Sequence, residues 1–158
     1  MRHRSPCAHS WFVDFSLPKL VRLVVDLIFS LSILTDMKTL MRVSLFANIA
    51  ILVPVCTGIM MHAPGIDEVY GVATSARGIL LSVYISILVC SGILLVRSSP
   101  GPVATLLLVQ VFYKITTPCT VGTFYHPVVI CNLMVAALHL LTLSTIYRNY
   151  GNPFRVNR

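Results

Sequence analysis

PVATLLLVQVFYKITTPCTVGTFYHPVVICNLMVAALHLLTLSTIY, residues 102–147, decides the fold, because here long apolar runs carry polar groups that lipid would penalise. Two runs are joined by a short turn. In the first, Val103 to Pro118, the polar residues Gln110, Tyr113, Lys114 and Thr117 recur at i, i+3, i+4 and i+7, so a helix gathers all four on one face. In the second, His126 to Tyr147, Asn132 and His139 lie seven residues apart. An antiparallel hairpin of the two runs sets Gln110 opposite His139 and Lys114 opposite Asn132, a polar seam inside a bundle.

The surroundings follow from composition. A chain of 158 residues that is 56% hydrophobic and 11% charged lies outside the soluble range. Hydrocarbon ~30 Å thick takes about 20 apolar residues per helix, which leaves room for four spans and their turns. The formal charge of +7 is dispersed among apolar runs and forms no compact basic face, so nucleic acid is not an expected partner. The expected partners are the bilayer and other membrane subunits.

Outward from the decisive stretch, Ser98-Ser-Pro-Gly-Pro102 is a sharp turn, preceded by a span over about Ser75–Val96 with Ser82, Ser86 and Cys90 as a stripe of small side chains. Before it, His62 to Gly71 is a turn-rich loop holding Asp67 and Glu68, and about Thr39–Met61 is another span, which Pro54 is expected to kink near Ala50. Pro118 is expected to end the third span, and Pro127 suits the first turn of the fourth, which reaches about Tyr147.

Residues Leu20 to Leu34 are short for a span, and Lys19, just ahead of them, recurs with Arg22, Asp26 and Ser30 along one edge, so they read as an interfacial helix, with a fifth span as the rival reading. Trp11 and Phe12 suit the headgroup region. The expected architecture is therefore an all-α transmembrane four-helix bundle over residues 38–148. An N-terminal amphipathic helix lies within 1–37, and 149–158 is a tail. With the N-terminus inside, ten of the 12 basic residues fall on the cytoplasmic side, which predicts a multi-pass protein of the plasma or inner membrane with both termini cytoplasmic.

Several side chains could carry chemistry. Lys114 has three competing readings: snorkelling to the outer headgroups, a salt bridge to Asp67 or Glu68, or a substrate or proton site. His139 is read as a packing histidine bonded to Gln110 or Thr142, as a quinone-facing or proton-transfer group, or as a haem ligand. Gln110, Lys114, Asn132 and His139 together are the candidate ligand site, with quinone or haem as the cofactors it would suit. Arg77 is expected to pair with Asp67 or Glu68 and clamp the first loop. His62 and His126, both at outer ends, are weak metal candidates beside ordinary interfacial histidines.

Among Cys7, Cys56, Cys90, Cys119 and Cys131 there is no CxxC pair, and a Cys56–Cys119 disulfide is one expectation. No phosphate loop, GxSxG, HExxH or twin CxxC points to an enzyme.

The four-span layout, the loop reaching Val-Tyr-Gly71, and Ala76-Arg77-Gly78-Ile-Leu-Leu-Ser82-Val-Tyr84 resemble the small bacterial DoxX-like membrane proteins over about Lys38 to Arg148. The N-terminal segment departs from that pattern. The resemblance implies accessory-subunit behaviour, since founding members of the family are linked to a quinol oxidase, and it transfers no catalytic residue. Three functions are thus expected in order: a non-catalytic subunit or assembly partner of a membrane complex, plausibly respiratory or photosynthetic; a quinone- or haem-binding redox protein; a small oligomeric channel or transporter.

Overall fold

A computed structural model describes residues 36–151; the interfacial helix expected at Leu20–Leu34, the headgroup contacts of Trp11 and Phe12, and Cys7 lie outside the described residues. The described chain forms four long helices and one short one: α1 (Met37–Met60), α2 (Ile66–Tyr70), α3 (Ser75–Val96), α4 (Pro100–Val121) and α5 (Pro127–Tyr150). No strand occurs among the described residues. All but α2 are long and apolar enough to cross a membrane.

Local chemistry sets the boundaries. Thr74 caps α3 by accepting the Arg77 N–H at 3.3 Å, and His126 caps α5 by accepting the Val128 N–H at 3.3 Å, ahead of Pro127, whose missing N–H costs nothing in a first turn. Pro118 does not end the third span as expected: α4 begins earlier, at Pro100, and continues to Val121. There Gly122, at φ 76°, turns left-handed and its N–H closes on the Pro118 carbonyl at 2.9 Å. A proline one turn from the end forfeits a single backbone bond, which the last turn tolerates. Pro54 likewise sits within an unbroken α1, and α5 runs to Tyr150, past the expected Tyr147.

Core-facing residues recur at helical spacing, as Met37, Met41, Ser44, Asn48, Leu52, Cys56 and Ile59 do on α1. Packing is most extensive between α4 and α5 and between α1 and α3; α1 also lies on α5, while α3 and α4 scarcely touch despite the short turn joining them. The molecule is thus two antiparallel hairpins held together chiefly through α1 and α5.

Two apolar clusters close the ends. At one end Met37, Met41, Leu45, Val103, Ala104, Leu107 and Ile146 pack together. Leu52, Cys56, Ile59, Ile66, Tyr84 and Ile87 form the other, where the Tyr70 and Tyr84 rings meet edge-on at 6.4 Å.

Helix α3 is the most apolar of the four, yet only 17% of its apolar stretch is buried, whereas α4, the least apolar, buries 39%. The most apolar helix therefore turns most of its surface outward and the least apolar turns inward. That distribution suits lipid, which replaces water as the solvent of the outer face. Ser82, Ser86 and Cys90 lie on that outward face, and the two serine hydroxyls donate to their own helix, at Ile79 and Ser82 carbonyls. The small-residue stripe is accordingly left uncovered by the helices among the described residues.

Candidate functional site

Three polar residues occupy the middles of their helices. Asn48 is the twelfth of 24 residues in α1, Gln110 the eleventh of 22 in α4, and His139 the thirteenth of 24 in α5. At ~1.5 Å per residue each is about 15–20 Å from either helix end. All three are buried, His139 and Gln110 completely. A polar layer therefore lies between the two apolar clusters, at the depth where water is scarcest.

Around His139 the layer is closely bonded. Asn48 Nδ2 donates to Ser91 Oγ at 3.2 Å, which leaves Asn48 Oδ1 to face His139 Nε2 at 3.1 Å. A carboxamide oxygen only accepts, so Nε2 carries the ring hydrogen and Nδ1 is an acceptor. Ser44 Oγ stands 3.4 Å from Nδ1 and 2.6 Å from Thr142 Oγ1, and Thr142 also reaches the Leu138 carbonyl at 3.0 Å. The single Thr142 hydrogen goes to the Leu138 carbonyl, so Ser44 donates to Thr142 and stands beside Nδ1 with its oxygen. Both ring nitrogens face side chains of α1.

A second group lies nearer the loop end. Lys114 is 5% exposed, so the lysine does not snorkel. Its Nζ donates to Asn132 Oδ1 at 3.1 Å and lies 4.9 Å from the Tyr113 ring centroid. Asn132 Nδ2 donates onward to Thr117 Oγ1 at 3.2 Å, and Thr117 donates to the Tyr113 carbonyl at 2.9 Å. The expected salt bridge from Lys114 to Asp67 or Glu68 does not form, because Asp67 binds Arg77 instead. No carboxylate accompanies this buried lysine among the described residues.

Between the two groups sits Gln110, with Nε2 and Oε1 both buried and without a partner, as is the Tyr113 hydroxyl. Counting from the turn correctly brings Lys114 to Asn132, but the bond expected between Gln110 and His139 is absent, and His139 turns to α1 instead. Ser44 and Asn48 were the missed partners. Their signal was a four-residue spacing on α1 that matches the depth of Thr142 and His139.

The first loop is clamped as expected, through Asp67 and not Glu68. The Arg77 side chain, 4% exposed, pairs with Asp67 and donates to the Gly71 carbonyl, and its Nη2 lies 3.0 Å from His62 Nδ1. Guanidinium only donates, so His62 accepts through Nδ1. Gly71, at φ 77°, adopts a left-handed conformation that presents its carbonyl to Arg77 and that a side chain would strain. Burial pushes the Tyr70 phenol well above its ordinary value, so it stays neutral where it packs on the apolar cluster beside Tyr84.

His62 is committed to Arg77 and His126 to its own helix cap, and no group of three metal-ligating side chains occurs among the described residues. The expected Cys56–Cys119 disulfide is absent: both are free thiols, Cys56 buried and Cys119 exposed.

Fold and interior together define a multi-pass, all-α membrane protein, a four-helix bundle with a buried polar middle. No family model matches the chain, and neither does any curated protein or solved structure.

Proposed function

We propose that the chain is a non-catalytic integral subunit or assembly partner of a larger membrane complex. The observation that carries this reading is the division of labour among the helices. The His139 group spends its hydrogen-bonding capacity inside the bundle, while α3 leaves most of an apolar surface, with small side chains at Ser82, Ser86 and Cys90, open to a neighbour. Small residues let two helices approach closely in lipid, where van der Waals packing drives association. A respiratory or photosynthetic assembly fits the DoxX-like resemblance.

Orientation belongs to the same proposal. Lys38, Arg42, Arg97 and Arg148 gather at one end of the antiparallel bundle and Asp67 and Glu68 at the other, which supports cytoplasmic termini in a plasma or inner membrane. Gentle detergent extraction from the native membrane followed by native electrophoresis tests the subunit reading. The expected result is co-migration with other chains, weakened by Ser86→Leu on α3. A small monomeric species, under conditions that keep known complexes intact, refutes it.

A further inference from the structure

Gln110, Tyr113 and Lys114 share one side of α4 at i, i+3 and i+4, and all three present polar capacity that the described residues leave unused. Gln110 is fully buried, with two amide N–H donors and a carbonyl unpartnered. The Tyr113 hydroxyl is buried and free. Lys114 carries three N–H donors, of which one serves Asn132 and another faces the Tyr113 ring, and no carboxylate lies beside it among the described residues. The set is rich in donors, positively charged, and short of acceptors.

Access comes from the side. Tyr113 packs against the cluster that includes Tyr84 and Ile87 of α3, and Leu106 packs, as do Leu94 and Leu95 of α3, against the cluster at the other end, which puts the Leu106–Gln110–Tyr113 edge of α4 on the α3 side. The backbones of these two helices approach each other at few points. Outside it lie Val109 and Phe112, 60% and 66% exposed, an apolar border on the lipid side.

We propose that Gln110, Tyr113 and Lys114 form a binding site for the carboxylate head of a long-chain acid, which enters from the bilayer between α3 and α4. The carboxylate supplies the counter-charge Lys114 lacks and accepts from the Gln110 amide and the Tyr113 hydroxyl; the acyl chain stays among the apolar residues that border the seam. A neutral head of similar shape satisfies the donors and leaves the charge unbalanced, so ionised acids are preferred over their esters. The site does not depend on the subunit role proposed above.

The test uses the full chain in nanodiscs of dioleoylphosphatidylcholine, labelled with a diazirine-bearing stearic acid and competed with oleate or methyl oleate. Expected are saturable labelling of peptides from α3 and α4, competition by oleate at least tenfold stronger than by methyl oleate, and at least tenfold weaker binding in Lys114→Met. Gln110→Met removes the orphaned amide with little change of volume; it is expected to melt no lower than wild type and to bind the acid severalfold more weakly. Equal competition by the ester, undiminished binding in Lys114→Met, or undiminished binding in a stably folded Gln110→Met overturns the proposal. So does labelling confined to the outward residues of α3.

Discussion

Asn48→Leu is the sharpest probe of the buried polar layer. The side chain is 2% exposed and ties three helices, donating to Ser91 on α3 and accepting from His139 on α5. Leucine has nearly the same volume and removes both bonds. Ser91 can turn its hydroxyl to its own helix backbone, so its loss is small. His139 has no such recourse, because its Nε2–H is left in a dry interior at mid-membrane depth.

A buried donor stripped of its partner costs ~1–3 kcal/mol, while a side-chain bond between membrane helices contributes ~0.6 kcal/mol on average and ~1.7 at most. The expected loss is therefore about 1–2 kcal/mol, after the favourable burial of leucine. Reversible unfolding in mixed micelles, followed by circular dichroism as the fraction of dodecyl sulfate rises, reads it directly. The companion measurement is a double-mutant cycle with His139→Leu. If the orphaned imidazole is the cause, the double variant is less destabilised than the two single losses combined, by ~0.6–1.7 kcal/mol. An Asn48→Leu protein as stable as wild type, or losses that add to within ~0.3–0.5 kcal/mol, refutes the account of the layer.

Thr142→Val keeps shape but deletes the hydroxyl bonded to Ser44, and the same titration should show a loss of ~0.6–1.7 kcal/mol. Arg77→Ala is expected to free the loop between α1 and α3, read as faster limited proteolysis within residues 62–74; Asp67→Asn should do far less, because Asp67 is 62% exposed and such pairs contribute ~0–1 kcal/mol. A membrane-permeant maleimide should modify Cys90 and Cys119 ahead of Cys56, and Cys56 should stay unpaired under non-reducing conditions; a Cys56–Cys119 crosslink would contradict the structure.

The spans were legible because lipid imposes a length and a composition on every helix that crosses it, and α3 begins and ends where the hydropathy does. Depth was legible too, since residues equidistant from a turn lie at equal heights, which is why Lys114 meets Asn132. Direction around the helix axis was not. Gln110 and His139 share a height, but His139 is rotated toward α1, and in a four-helix bundle the sequence of one hairpin does not say which of two neighbours a side chain will face. Pro118 misled for a related reason: a proline stops a helix when its missing bond is costly, and within the final turn that cost is small. On α1 the proline draws attention by its known backbone effect, whereas a lone asparagine such as Asn48 shows itself as the polar hub only once its neighbours on α3 and α5 are placed.

The division into two hairpins bears on how such a chain is made. The bond between Asn48 and Ser91 lies wholly within the half synthesised first, and the Lys114–Asn132–Thr117 relay wholly within the half synthesised second. Each half can thus leave the insertion machinery with part of its own polarity already matched. What remains for the meeting of the halves is the imidazole and the Ser44–Thr142 pair. Those are the contacts that report whether biogenesis has finished, and a chain stalled before that docking would display Asn48, Ser44 and His139 to the quality-control apparatus of its membrane.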